Sequence, residues 1–119
     1  MRTAFAHEAV LRLAPDADIR APGGAITVAL CGSWDHQPPC PIAPHHTRAV
    51  QVDSHVHLRI LFATEPEQER VVRRTINRAL DRGELRGPDG RLSAWQVLSS
   101  MPGAVTPDEE DHAQRLIRN

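Results

Sequence analysis

Both cysteines and five of the seven histidines crowd into the stretch from Cys31 to His57. Thiolate and imidazole are the donors a tetrahedral zinc site uses, and two thiolates favour zinc over magnesium or calcium. Cys31, His36, Cys40 and His45 follow a Cys-x4-His-x3-Cys-x4-His spacing, with His46 adjacent. In standard zinc fingers the paired cysteines stand closer, about two to four residues apart. A closed set of Cys31, His36, Cys40 and His45 would hold a structural ion. A thiol nucleophile is the other chemistry open to this stretch, since a neighbouring imidazolium lowers a cysteine pKa.

The second cluster is Asp53-Ser-His55-Val-His57. Residues two apart on a strand project from one face, so these three side chains would stand in a row. The five residues resemble the Asp-x-His-x-His strand of metal-dependent amidohydrolases. The resemblance implies metal ligation by Asp53, His55 and His57. It stops at those five residues, because the barrel of those enzymes takes about 250 residues. An open set of His55 and His57 with one or two loop ligands would leave a water position, which suits catalysis or metal delivery.

The elements that must position these residues read as strands first and helices later. Phe5 to Leu13 alternates, with Ala9, Leu11 and Leu13 on one side and Glu8 and Arg12 on the other. Pro15, Asp16, Asp18, Pro22 and Gly23-Gly24 mark a turn. Ile26 to Cys31 reads as a second strand, with Ile26, Val28 and Leu30 on one face. Residues 32–47 hold Pro38, Pro39, Pro41 and Pro44 without periodicity, a loop long enough to need something to fasten it. Ala49 to Phe62 reads as one half-buried strand. Its apolar face is Val50, Val52, Val56, Leu58, Ile60 and Phe62, and its polar face Gln51, Asp53, His55, His57 and Arg59.

Thr64-Glu-Pro-Glu67 has the pattern of a capping box and opens a helix with the stripe Val72, Ile76, Ala79 and Leu80, closed by Gly83. Leu92 to Ser99 reads as a last strand. Thr106-Pro-Asp-Glu109 repeats the capping pattern, so 107–117 forms a second helix, acidic at its start and basic at its end. The expected fold is a single α+β domain over residues 1–119, in the order β-β-loop-β-α-β-α. It is a two-layer sandwich of about four antiparallel strands with both helices on one face. Cys31, His55 and His57 would then share the open face.

Composition narrows the function classes. A net charge of −1 gives no global pull toward nucleic acid or a membrane surface. Arg70, Arg74, Arg78 and Arg82 line one helix face, yet Glu65, Glu67 and Glu69 offset them, so this face reads as solvated. No secretory pattern or membrane-length apolar run is present, and the expected location is the cytoplasm. There, cysteines are more often thiols or metal ligands than disulfides. The leading expectation is a small metal-binding protein with zinc as a structural or accessory ion, held by a subset of Cys31, His36, Cys40, His45, His46, His55 and His57. One alternative is a hydrolytic or thiol-based enzyme on the open sheet face. Another is a non-enzymatic module that forms a homodimer through that face.

Overall fold

A computed structural model describes residues 1–31 and 43–118. The chain is α+β. Its strands are β1 (Thr3–Leu13), β2 (His45–Val52), β3 (His55–Thr64), β4 (Glu84–Arg86) and β5 (Leu92–Gly103). Its helices are α1 (Ala21–Cys31), α2 (Glu69–Asp81) and α3 (Glu110–Arg118). The strands form one antiparallel sheet in the order β2-β3-β1-β5-β4, with β1 at its centre. The architecture therefore has five strands and three helices in the order β-α-β-β-α-β-β-α, where the sequence pattern suggested four strands, two helices and β-β-loop-β-α-β-α.

The helices divide between the two faces. On the near face, α1 and α2 bury Ile26, Leu30, Val72, Ile76 and Leu80 against Ala9, Leu11, Val56, Leu58, Ile60 and Phe62. On the far face, α3 packs Leu116 against Ala6, Leu61 and Ala63, three small or aliphatic positions at one end of the sheet. Among the described residues no helix covers the other end of the far face. The expectation of all helices on one face fails because α3 has its own small core.

Ile26 to Cys31 is helical, not a strand. Ile26 and Leu30 fit a period of two, but they are also four apart, and with Pro22 they form a helical stripe that is wholly buried. Val28, which the strand reading needed inside, is only half-buried. The Gly23-Gly24 pair that reads as a turn lets α1 lie close on β2. A Cβ at Gly23 would stand 3.2 Å from Thr47 Cγ2. Tertiary packing overrides the local propensity here.

Ala49 to Phe62 is likewise not one strand. Asp53 and Ser54 make a two-residue hairpin turn, and Asp53 takes the left-handed conformation (φ 56°) that Asp tolerates better than most residues. Cross-strand partners share a face, so Val50 faces outward with His57 and Val52 with His55. The turn reverses the alternation, and Val50 and Val52 leave the core side that the pattern gave them. His45, His46 and Thr47, read as loop, belong to β2.

The two capping patterns part ways. At Thr106 both reciprocal contacts form, with Glu109 Oε1 accepting from the Thr106 backbone N–H at 3.0 Å. Thr64 instead ends β3, paired with Thr3, and Glu65 takes the cap position without a side-chain hydrogen bond. Among the described residues no helix is long and apolar enough to cross a membrane.

Candidate functional site

The sheet separates the sequence-predicted ligands. Cys31 ends α1 on the near face, and His45 sits beneath it on β2, with Cys31 Sγ 3.7 Å from His45 Nδ1. His45 Nδ1 also lies 3.1 Å from the Ala43 carbonyl and Nε2 3.0 Å from Thr27 Oγ1. Cys31 is disulfide-bonded. Its sulfur in this state is not the thiolate that metal ligation or nucleophilic attack requires. His36 and Cys40 lie outside the described residues, as does most of the loop drawn at 32–47.

His55 and His57 stand on β3 in the open part of the far face, opposite Val52 and Val50. Asp53 occupies the hairpin tip, not a place in their row. His46 also faces outward from β2, but its ring meets His112 of α3, with centroids 4.5 Å apart and planes tilted by 54°. Cys31 with His45, His46, and His55 with His57 thus fall into three places. Among the described residues no group of three or more His, Cys, Asp and Glu side chains is placed to share an ion.

A buried histidine that the sequence did not single out anchors a different network. His7 is on β1, on the near face. Arg73 Nη1 donates to His7 Nδ1 at 2.9 Å, and arginine can only donate, so the imidazole proton sits on Nε2. Nε2–H then donates to Ser100 Oγ at 2.8 Å, and Ser100 donates to Asn77 Oδ1 at 2.6 Å. The direction of donation runs from Arg73 through His7 to Ser100. His7 therefore has no lone pair toward Ser100 and cannot act as its base. Arg73 is held further by Glu69 at 2.8 Å and covers the rings of Phe5 and Phe62. Glu69 and Arg73 are an i,i+4 pair, here turned inward as part of a structural network.

The uncovered half of the far face forms a groove of about 380 Å3. Two registers of cross-strand neighbours build it. One runs Arg48, Arg59, Glu8 and Met101 across β2, β3, β1 and β5, and the next runs Val50, His57, Val10 and Ser99. Apolar side chains floor it, and they are unusually open for aliphatic residues: Val50 is 44%, Val52 43% and Met101 51% exposed.

Electrostatics distinguish its two arginines. Arg59 donates to Glu8 at 2.8 Å and to Glu109 at 2.7 Å, so its charge is met inside the protein. Arg48 lies directly across from Arg59 and makes no ion pair among the described residues. Like charges placed opposite each other on adjacent strands destabilise a sheet. Arg48 had no signal of its own in the sequence, because the groove's existence depends on the parity change at Asp53-Ser54.

Two other hollows have different chemistry. One of about 300 Å3 at the start of α1 is walled by Asp18, Arg20, Asp89 and Arg91. Its two carboxylates and two guanidiniums are equal in number; Arg20 Nη2 donates to Asp18 at 2.8 Å, and Arg91 donates to the Asp16 carbonyl at 3.0 Å. Arg20 holds the Asp18 carboxyl at about 2. The other, among Arg70, Arg74, Arg78 and Asp81, is a broad depression lined by charged and polar residues. That agrees with a solvated helix face.

Neither a family model, nor a curated protein, nor a solved structure matches this chain.

Proposed function

We propose that the protein is a small binding domain whose site is the far-face groove, and that its ligand is an amphipathic anion. The observation that carries this reading is Arg48, which has no counter-ion among the described residues, beside exposed Val50, Val52 and Met101. A short aliphatic body would cover the valines and the methionine, and a carboxylate would accept from the Arg48 guanidinium. At about 380 Å3 the groove suits a small ligand. Charge argues against a second copy of the chain as occupant: a two-fold contact would bring Arg48 of both copies onto one interface, while Glu8 is already engaged by Arg59.

Calorimetric titration of octanoate into the untagged protein tests the reading. Saturable one-to-one binding is expected, weakened about tenfold or more by Arg48→Glu, which corresponds to about 1.4 kcal/mol. Octylamine, with the same chain and the opposite charge, should not compete. Equal binding of the two amphiphiles, or undiminished octanoate binding by Arg48→Glu, overturns it. So does a dimer in light scattering that Val50→Asp converts to a monomer.

A second reading keeps zinc at the Cys31 end of α1, and the 3.7 Å approach of Cys31 Sγ to His45 Nδ1 favours it. It requires reduction of the Cys31 disulfide first, which frees a thiolate beside an imidazole. Zinc uptake by reduced protein, absent from oxidised protein and lost in Cys31→Ser, is its expected signature. Equal uptake in both redox states counts against it.

A further inference from the structure

His46 and His112 come from elements far apart in sequence, β2 and the first turns of α3, yet their rings touch at a centroid separation of 4.5 Å. Neither ring has a hydrogen-bond partner among the described residues. Elsewhere α3 is fastened to β1 and β3, through Leu116 against Ala6, Leu61 and Ala63 and through Glu109, just before the helix, held by Arg59. The two imidazoles are its link to the edge strand.

We propose that His46 and His112 form a two-imidazole site for a divalent transition metal, zinc foremost, in which the ion clips α3 to β2. Neutral imidazole nitrogen is the ligand form, and these metals prefer it. Arg48 lies two residues along β2, and Glu110 and Asp111 begin α3, so two carboxylates stand against one guanidinium among these chain neighbours. No third carboxylate, thiol or imidazole among the described residues joins the two rings. Water completes the shell, so the site is open and exchangeable, unlike a closed four-ligand structural site. His112 was outside the sequence-predicted ligands because it lies fifty-five residues beyond His57 in the chain.

The test is titration of ZnCl2 into untagged, EDTA-treated and dialysed oxidised protein, followed by calorimetry and by the thermal midpoint. One zinc per chain is expected, with a rise in the midpoint that EDTA reverses. His46→Gln and His112→Gln should each weaken binding at least tenfold, and His57→Gln should leave it unchanged. His112→Asp removes the ring contact but supplies a carboxylate ligand, and should retain more affinity than His112→Gln. Wild-type protein that binds no zinc, or binding that survives both glutamine variants, overturns the proposal. So does affinity lost in His57→Gln, or His112→Asp no better than His112→Gln, which would make the pair a packing contact.

Discussion

Arg59 and Glu109 meet side by side, with Arg59 Nε donating to Oε2 and Nη2 to Oε1, both at 2.7 Å. The pair joins β3 to the turn that starts α3, and Arg59 Nη2 also donates to the Ala104 carbonyl. Glu109 closes the α3 capping box through Thr106 as well, so one carboxylate fixes both the helix start and its attachment to the sheet. Replacing it with Ala should cost about 2–3 kcal/mol, from hydrogen bonds to a charged group and a lost cap. Urea unfolding of Glu109→Ala beside wild type measures this. The hydrogen bonds from Arg59 hold the Glu109 carboxyl at about 2, below its ordinary 4.5. Its stabilising contribution is therefore complete above about 4.5 and fades as pH falls toward 2. The variant should show a shallower acid limb than wild type.

The buried His7 gives stability a second dependence on pH. Burial first, and Arg73 second, lower its pKa from the ordinary 6.5. The folded protein therefore holds the neutral ring, and the unfolded chain takes up the proton first on acidification. The contribution is full above about 6.5 and declines as pH drops below that value. Denaturation at pH 7.5, 6.5 and 5.5 should show falling stability, and His7→Gln should flatten that slope while lowering the value at pH 7.5.

Gly83 ends the α2 turn in the left-handed region, φ 72°. A Cβ there would lie 3.2 Å from the Trp95 carbonyl, and the Trp95 N–H donates to the Gly83 carbonyl at 2.9 Å. Backbone strain and the close approach act together, so Gly83→Ala should destabilise by about 2 kcal/mol. A thermal midpoint several degrees below wild type checks this. Gly90→Ala is the control: it shares the positive φ, 84°, but a Cβ there meets nothing within 4 Å. It should show the smaller loss.

The sequence carried the α2 stripe of Val72, Ile76, Ala79 and Leu80 and the Thr106–Glu109 cap in full, because each depends on neighbours three or four residues away. It carried β1 as well, through the weak alternation of Ala9 and Leu11 against Glu8 and Arg12. Ile26 to Cys31 misled, since an uncharged helix buried against a sheet shows the same apolar residues as a strand. Thr64 misled because pairing with Thr3 holds its backbone extended, a constraint sixty-one residues away in the chain. The candidate site was hidden by two residues. Asp53 and Ser54 turn one apparent strand into a hairpin, and that places Val50 and Val52 with His57 instead of with Val56 and Leu58. His112 was invisible because nothing local ties α3 to β2.

The groove reading meets its most direct test in residue-resolved NMR of 15N-labelled protein titrated with octanoate. Amide shifts should move together, and saturably, at Val10, Arg48, Val50, His57 and Met101, with α1 and α2 silent. Shifts concentrated on the Arg70–Arg78 face of α2 or around Asp18 and Arg91, or none at saturating octanoate, would contradict it.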